Sequence, residues 1–202
     1  MPSTEVTNSM SVTTRDNEYH TYADYLVWSR TSGDELIEGT AYVREPGPTL
    51  THQMIVGELY YQVRIALQGT SWRAFIAPFD VRLPRSTERD EDVDTVVQPD
   101  VFITRDSEKV DQRGVRGAPD WIVEVLSPGT ARHDQRRKIP AYERAGVLEV
   151  WLVNPRDRKV AIYRLADGVY GQPVVLNLEG RTALTVAPEV VIDWELVVAE
   201  IF

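Results

Sequence analysis

One long stretch of the chain repeats apolar residues at helical spacing. Between Thr51 and Gln68 the repeat occupies every fourth position, which places one apolar face along a helix. The members of this repeat are Ile55, Leu59, Val63 and Leu67. Thr51 is a residue type that caps helix N-termini, and Gly69 is one that ends helices. The pattern therefore predicts a helix from Thr51 to about Gln68.

Beyond this helix the pattern changes to short runs of branched and aromatic residues, which are typical of buried strands. The predicted strands are WRAFIAP, FDVRL, TVVQPDVFIT, APDWIVEVLS, EVWLVN and KVAIYRL. A second helix, from about Ala131 to Ala145, follows the fourth strand and ends at Gly146. Pro140 removes a hydrogen bond inside this helix, so we expect a kink or a restart just beyond Lys138.

The two ends of the chain and one internal segment carry weaker patterns. Residues 1–18 are rich in Ser, Thr and Asn, so we expect a flexible tail followed by a single domain over residues 19–202. A short helix from Tyr22 to Ser29, and the strands ELIE and AYVR joined at Gly39, are expected to begin this domain. The acidic run RSTERDEDVDT, residues 85–95, predicts an exposed loop, and the closing WELVVAEIF predicts a helix. The order of the elements indicates a mixed α/β domain around a buried sheet.

Composition narrows the chemistry that this domain can perform. The chain has 202 residues, of which 43% are hydrophobic, and it contains no cysteine. Disulfides, thiolate zinc sites and a cysteine nucleophile are therefore excluded. Because the sequence has 3 histidines, a metal would be a hard cation held by oxygen atoms, namely Mg²⁺, Mn²⁺ or Ca²⁺. No apolar run is long enough to span a membrane or to form a signal-peptide core, so we expect a cytoplasmic protein without a membrane partner.

Charge is unevenly distributed along the chain. The formal net charge is −9, which argues against an unselective nucleic-acid binder because phosphate contacts need positive charge. Residues 104–144 are nevertheless net positive, with 9 basic and 7 acidic side chains. Five of these basic residues fall close together, namely Arg132, Arg136, Arg137, Lys138 and Arg144. They could form a local basic groove or simply a solvated helix face.

Two acids occupy apolar strands, where a carboxylate is costly to bury without a partner. Asp100 lies in VQPDVFIT and Glu124 lies in PDWIVEVLS. If these strands pair, the two carboxylates repel each other, and a shared proton, a basic partner or a divalent cation has to offset the repulsion. Lys138 on the following helix could supply an ammonium group, with Asp134 beside it one turn earlier. In the alternative interpretation, Asp100 caps a turn after Pro99 and Glu124 pairs with an arginine.

Several ordered motifs of this sequence resemble those of one protein family. They are ELIEG, THQ, APFDVRL, VVQPDV, GAPDWIVEVLSPGTARHDQRRK, YERAGVLEVWLVNP and VAIYR. Together they span about residues 22–202. They resemble the Uma-two family, a large bacterial group described as restriction endonucleases and assigned to the PD-(D/E)XK nuclease superfamily. The resemblance implies an α+β fold with a restriction-endonuclease-like core, in which helices flank a mixed β-sheet, and an endonuclease that hydrolyses DNA with Mg²⁺ or Mn²⁺.

The resemblance also assigns roles to individual residues. In this superfamily an aspartate and a glutamate on successive strands hold Mg²⁺, and Asp100 and Glu124 match those positions. The backbone carbonyl of Val125 would be a further ligand. The usual lysine two residues beyond the glutamate is absent, because Leu126 stands there. The resemblance implies that Lys138 reaches the same space from the helix and polarises the attacking water.

Other residues have supporting roles in this interpretation. Glu38 in ELIEG is expected to line the metal site, while Asp80 in PFDVRL either supports the metal ligands or only ends a turn. Asp134 is expected to orient Lys138. Three basic residues, Arg132, Arg136 and Arg137, are expected to contact the phosphate backbone. His52 either donates to a phosphate or caps the helix start, and we prefer the cap.

The leading interpretation is thus a Mg²⁺-dependent endonuclease, and the need for two sites to cut both DNA strands implies a homodimer. The alternative is a catalytically inactive or accessory nucleic-acid-associated protein that retains the nuclease fold. Its support is the net charge of −9, the displaced lysine, and Thr40 in place of an acid that this family usually shows. A glycoside hydrolase built on the paired carboxylates ranks last, since no aromatic sugar platform is identifiable near them.

Overall fold

The structure is a computed structural model that describes residues 11–28, 34–45 and 47–201. The first ten residues of the predicted tail, and Ser29 at the end of the first predicted helix, lie outside these ranges. No helix in the described part of the chain is both long enough and apolar enough to cross a bilayer.

The described residues form five α-helices and sixteen strands. The α-helices are α1 (Tyr22–Val27), α2 (Leu50–Ala66), α3 (Ala131–His133), α4 (Ile139–Ala145) and α5 (Trp194–Ala199). Between α3 and α4 the chain forms a π-helical segment (Asp134–Lys138), and two 3₁₀ helices cover Asp90–Asp92 and Ser107–Lys109. The strands are β1 (Ser11–Thr14), β2 (Glu35–Ile37), β3 (Thr40–Glu45), β4 (Arg73–Ile76), β5 (Val81–Arg82), β6 (Val96–Val97), β7 (Val101–Thr104), β8 (Val110–Asp111), β9 (Gly114–Arg116), β10 (Trp121–Val125), β11 (Glu149–Asn154), β12 (Lys159–Ala166), β13 (Val169–Tyr170), β14 (Val174–Asn177), β15 (Arg181–Ala183) and β16 (Val191–Asp193).

Most strands belong to two larger sheets. The first sheet has the order β1-β3-β2-β6-β5-β9-β8. The second has the order β13-β12-β11-β10-β7-β4, with β14 also paired to β12, and β15 and β16 form a small separate sheet. In the second sheet β10 runs parallel to β11 and antiparallel to β7, so this sheet is mixed, as the sequence predicts.

The second sheet is buried on both faces, and β10 divides its side chains between them. Trp121, Val123 and Val125 face a core that is shared with α2 and α5. This core contains the whole apolar repeat of the predicted long helix. Ile122 faces a second core, which is built from the first sheet and α4. Because Glu124 lies two residues further along β10, its side chain points to this second side, between the two sheets.

The register of β7 and β10 brings the two candidate acids to the same end of the sheet. These strands are antiparallel, with Val101 opposite Val123. Asp100 and Glu124 each come one residue beyond this pair. The candidate site therefore lies where β7 begins and β10 ends.

Two irregular segments differ from what the sequence predicts. Residues 11–14, expected within the tail, form β1 and pair with β3, as the β-branched residues in SVTT favour. The acidic run is largely exposed, as expected, but its end is buried and it is anchored to the first sheet. Asp90 within it pairs with Arg82 and with Arg116, because the buried guanidinium of Arg82 requires carboxylate counter-ions.

The start of α2 also differs from the prediction. Thr51 lies inside the helix, and Thr49 is the N-cap residue, whose hydroxyl accepts a hydrogen bond of 3.2 Å from the backbone N–H of His52. The cap lies two residues earlier than expected because a threonine in extended conformation at residue 49 satisfies this N–H group.

This cap gives a matched pair of substitutions. Replacing Thr49 with alanine is expected to lower the free energy of unfolding by about 1 kcal/mol, since the N–H group of His52 loses its acceptor. Thr51→Ala removes the same atoms two residues later and is expected to change it by less than about 0.5 kcal/mol. Urea unfolding of both variants measures the difference. A larger loss for Thr51→Ala than for Thr49→Ala would contradict the cap assignment.

Candidate active site

Four acids and one lysine meet between the two sheets, although they come from distant parts of the chain. Glu35 lies on β2, Asp100 precedes β7, Glu124 lies on β10, and Asp134 and Lys138 begin and end the π-helical segment. Each of the five residues is at most 5% exposed. We refer to this set as the carboxylate–lysine cluster.

Lys138 is the ammonium donor of the carboxylate–lysine cluster. Its Nζ atom lies 2.6 Å from Oε1 of Glu124, 3.0 Å from Oε1 of Glu35 and 3.8 Å from Oδ1 of Asp134. The structure thus brings Lys138 to Glu124, as the resemblance implies, and places Asp134 beside the lysine. Lys138 is fully buried, so its charge is compensated by these carboxylates rather than by water.

The helix that carries Lys138 is interrupted as Pro140 predicts. The backbone N–H of Ile139 donates to the carbonyl of Asp134, five residues earlier, which is the spacing of a π-helix. Pro140 follows directly and has no N–H group to continue the α-helical ladder. The chain resumes as α4, with Asp134 and Lys138 buried and the three residues between them exposed.

Glu124 is a carboxylate in an unfavourable environment for its charge. Burial raises its pKa from the ordinary value of 4.5 to about 8, and the nearby Asp100, Asp134 and Glu35 also act to raise it while Lys138 acts to lower it. The hydroxyl of Tyr142 donates a hydrogen bond to Oε1, the same oxygen that contacts Lys138. Two groups therefore orient this carboxylate from α4 and the π-helical segment.

Asp100 is held by two groups at its Oδ2 atom. The backbone N–H of Val125 donates at 2.7 Å, and Nε2 of His52 lies at 3.2 Å. The expectation that His52 caps the helix is wrong, because Thr49 supplies the cap and the imidazole instead contacts Asp100. Nothing local to THQ indicates this contact, since it depends on how α2 packs on the second sheet.

The motif ELIEG contributes a different acid from the one expected. Glu38 lies outside the carboxylate–lysine cluster, on the surface, where its Oε1 atom pairs with Arg144 at 3.0 Å. Glu35 is fully buried and contacts Lys138 instead. The sequence does contain a signal for the burial of Glu35. It precedes Leu36 in a predicted strand, where burying an acid without a partner is as costly as it is for Asp100.

Asp80 is linked to the carboxylate–lysine cluster through Gln98. Its Oδ1 atom accepts hydrogen bonds from the side-chain amide of Gln98 at 2.8 Å and from the hydroxyl of Tyr25 at 3.0 Å. The backbone N–H of Gln98 in turn donates to Oε1 of Glu35 at 3.0 Å. Asp80 therefore contacts Gln98, a neighbour of Glu35, and its supporting role at a metal site stays a prediction.

Three of the predicted basic residues line one groove at the surface. The groove has a volume of about 670 Å³ and is lined by Val12, Gly129, Arg132, His133, Arg136 and Arg137. We refer to it as the arginine groove. It is connected to the carboxylate–lysine cluster, because Nε2 of His133 lies 3.2 Å from Oε2 of Glu35.

A second opening is lined in part by other residues of the loop that follows β10. This cavity of about 220 Å³ is lined by residues that include His52, Ser127 and Arg156. His52 connects it to Asp100. The loop between β10 and α3 thus contributes residues to two openings, each of which is one side chain away from the carboxylate–lysine cluster.

The donor set of the site suits a hard divalent cation only in part. Among the described residues, no group of three or more His, Asp and Glu side chains has an arrangement that could hold a metal ion. The carboxylate–lysine cluster nevertheless brings four buried carboxyl groups together with one ammonium group. Asp100, Glu124 and the carbonyl of Val125 supply oxygen atoms, which are the donors that Mg²⁺ and Mn²⁺ prefer.

Comparison with known proteins relates this fold to nucleases. The family model Uma2, described as "Putative restriction endonuclease", matches residues 22–199. A crystal structure described as "a putative nuclease belonging to DUF820 from Anabaena variabilis ATCC 29413" has a similar fold, with a TM-score of 0.71 and 19% sequence identity. The similarity covers 90% of this chain and 99% of that chain. No curated protein matches the sequence. The fold class that the sequence resemblance implies is therefore confirmed.

Proposed function

Because the chain belongs to the Uma2 family, which is described as restriction endonucleases, we propose that it is a Mg²⁺-dependent endonuclease that hydrolyses DNA phosphodiester bonds. The observation that carries the proposal is the contact of Lys138 with Glu124 in the carboxylate–lysine cluster, which His133 separates from the arginine groove. Carboxylates next to a buried lysine, close to a surface lined by arginines, are the groups that phosphodiester hydrolysis requires.

Asp100, Glu124 and the backbone carbonyl of Val125 are the proposed ligands of Mg²⁺ or Mn²⁺. When bound, such a cation lowers the pKa of a water molecule and offsets the charge of the phosphate. Both carboxylates are oriented beforehand, Asp100 by the Val125 N–H group and His52, and Glu124 by Lys138 and Tyr142. Preorganised ligands of this kind need little rearrangement when substrate binds.

Lys138 is the proposed source of positive charge at the scissile phosphate. Leu126 occupies the usual position of the superfamily lysine, so the ammonium group has to come from another element. In the proposal the lysine orients the attacking water and stabilises the charge that develops on the phosphate oxygens. Asp134, at 3.8 Å from Nζ, keeps the lysine on the inner side of the helix.

The arginine groove is the proposed contact surface for the phosphate backbone. Arg132, Arg136 and Arg137 are exposed there, and such contacts supply affinity without reading the base sequence. Because the net charge of the chain is −9, we expect this local groove, rather than the overall field of the protein, to determine binding.

Salt dependence provides a test of the arginine groove. Replacing Arg136 and Arg137 together with glutamine is expected to weaken duplex DNA binding and to reduce the slope of log K against log salt concentration by about 0.9 for each phosphate that is no longer contacted. Fluorescence anisotropy with a labelled duplex in the absence of divalent metal measures both. Arg181→Gln is the control for a charge lost outside the groove, since it removes one positive charge, against two in the groove variant, from an exposed arginine on β15. Equal effects of Arg181→Gln and the groove variant would contradict this assignment.

Purified protein with and without Mg²⁺ or Mn²⁺ provides the test of the nuclease proposal. Supercoiled DNA, linear DNA and single-stranded DNA and RNA are incubated with the wild type and with Asp100→Asn. Metal-dependent cleavage of DNA that disappears in Asp100→Asn is the expected result. Equal background in both proteins on every substrate would overturn the proposal, and cleavage of RNA alone would change the substrate class.

A catalytically inactive or accessory nucleic-acid-associated protein is the second candidate. The observation that favours it is that Glu124 is 1% exposed and Lys138 fully buried, so a phosphate reaches them only if the loop beside the arginine groove moves. DNA binding at the groove without cleavage under any metal condition would support this candidate. The same binding and cleavage experiment therefore distinguishes the two proposals.

A homodimer in the cytoplasm is the assembly that we propose for the endonuclease. Cleavage of both strands of a duplex needs two sites, and two copies of this chain would supply them. A nucleic-acid substrate agrees with the cytoplasmic location expected from the sequence. Light scattering of the purified protein at micromolar concentration measures the mass, and a monomer with and without DNA would contradict the proposed dimer.

A further inference from the structure

Glu35 lies on a strand of the first sheet and contacts Lys138, the lysine of the carboxylate–lysine cluster. Its Oε1 atom lies 3.0 Å from Nζ of Lys138 and accepts a 3.0 Å hydrogen bond from the backbone N–H of Gln98. Its Oε2 atom lies 3.2 Å from Nε2 of His133. Both oxygens of a fully buried carboxylate are thus engaged, and the backbone of β2 fixes where that carboxylate stands.

The position of Lys138 in the chain explains why it needs a second carboxylate. A lysine two residues after Glu124 would be directed by β10 itself, whereas Lys138 reaches the site from the end of a π-helical segment. A lysine side chain has several rotatable bonds, so contact with one carboxylate leaves its ammonium group free to pivot. Asp134 lies on the same helical segment as the lysine and is more distant, at 3.8 Å, so Glu35, from a strand of the other sheet, supplies the second close contact.

The same carboxylate is also connected to the arginine groove. His133 contacts Glu35, its ring packs against Tyr42 with ring centroids 4.6 Å apart, and it lines the groove. A phosphate bound among the arginines would therefore lie one side chain away from the group that holds Lys138. Glu35 connects the proposed substrate surface to the proposed catalytic ammonium.

We propose that Glu35 is the positioning residue of Lys138, and that it directs the ammonium group at Glu124 in compensation for Leu126 at the usual lysine position. This inference rests on the proposed function for the catalytic role of Lys138. The contact that holds the ammonium group in place does not depend on that function. Glu35 acts through the lysine, so its removal is expected to change the rate of the chemical step rather than the binding of nucleic acid.

Amine labelling tests the contact without any assay of activity. The chain has three lysines, namely Lys109, Lys138 and Lys159. Acetylation with an N-hydroxysuccinimide ester, followed by peptide mass spectrometry, reports each one. Lys159 is exposed and serves as the internal reference. In Glu35→Gln the labelling of Lys138 relative to Lys159 is expected to rise about tenfold or more, because the buried ammonium group loses one of its carboxylate partners.

The matched control for labelling is Glu149→Gln. Glu149 is also a fully buried glutamate, but its partners are the indole N–H of Trp151 and the backbone N–H of Thr185. Glu149→Gln is expected to leave the ratio of Lys138 to Lys159 labelling unchanged. Glu35→Asp, which retains the charge but shortens the side chain, is expected to give an intermediate ratio. An unchanged ratio in Glu35→Gln, or an equal rise in both buried-glutamate variants, would overturn the proposal.

A double-mutant cycle tests the functional part of the proposal. Glu35→Gln is expected to lower kcat about tenfold with KM unchanged in the wild type, and to have no further effect in a Lys138→Met background. Equal decreases in the two backgrounds would show that Glu35 does not act through Lys138. Circular dichroism confirms that each variant is folded. If the wild type cleaves no nucleic acid, the proposed nuclease function fails, and the labelling ratio alone decides whether Glu35 positions Lys138.

Discussion

Replacing Lys138 with methionine is expected to lower the free energy of unfolding by about 3–5 kcal/mol, the cost of breaking a buried ion pair by removing one partner. The ammonium group lies between Glu124 and Glu35 at 2.6 Å and 3.0 Å, and all three side chains are at most 2% exposed. Methionine fills a similar volume but removes the ammonium group from the buried Glu35 carboxylate. Glu124, whose pKa is raised to about 8, adds to this cost mainly at higher pH. If the nuclease proposal is right, kcat falls by about 10²–10³ as well.

Urea unfolding with a matched surface variant measures this effect. Lys159→Met removes the same charge from an exposed lysine on β12 and is expected to change stability by less than about 0.5 kcal/mol. Adding Glu35→Gln to Lys138→Met is expected to recover part of the stability, because one uncompensated carboxylate disappears. A decrease below about 1 kcal/mol for Lys138→Met would show that the buried carboxyl groups do not depend on this ammonium group.

Replacing Glu124 with glutamine is expected to lower both metal-dependent cleavage and the stabilisation of the folded protein by Mn²⁺. Metal-dependent cleavage falls by about a thousandfold, since the cation that Glu124 helps to hold supplies several kcal/mol of charge stabilisation. Thermal unfolding of the wild type shifts to higher temperature on addition of Mn²⁺ because the ion binds the folded state, and the variant is expected to lose most of this shift. Retention of both properties would contradict the assignment of Glu124 as a ligand.

The stability of the metal-free Glu124→Gln variant relative to the wild type depends on pH. The pKa of Glu124 rises from 4.5 to about 8 on folding, so between these values the folded protein retains a proton that the unfolded chain releases. The contribution of this carboxyl group to stability therefore falls as pH increases from about 5 to 8. Glutamine does not titrate, so the stability of the variant relative to the wild type is expected to rise by about 3 kcal/mol over this range. Urea unfolding at about pH 5 and pH 8 without divalent metal measures it, and a constant difference would contradict the raised pKa.

Local features of the sequence were sufficient to identify most of the elements that carry the site. The apolar repeat of α2, the branched strands β7 and β10, and the proline that interrupts the helix after Lys138 are all such features. Burying an acid in an apolar strand is costly wherever the strand lies, so Asp100 and Glu124 stood out without knowledge of the fold. The three groove arginines lie close together along one helical stretch of the sequence, which is why the sequence indicates a local basic surface.

Only the tertiary structure decided which side chains meet around these two acids. Glu35 and Glu38 stand in the same motif, and local pattern does not distinguish them, but pairing of β2 with β6 turns Glu35 inward while Glu38 reaches Arg144. His52 contacts Asp100 only because α2 packs across the second sheet. The periodicity of apolar residues depends on residues a few positions apart in the chain. It can therefore be seen in the sequence itself. The carboxylate–lysine cluster and the raised pKa of Glu124 arise from contacts between residues as far apart as Glu35 and Lys138, and these depend on how the two sheets pack.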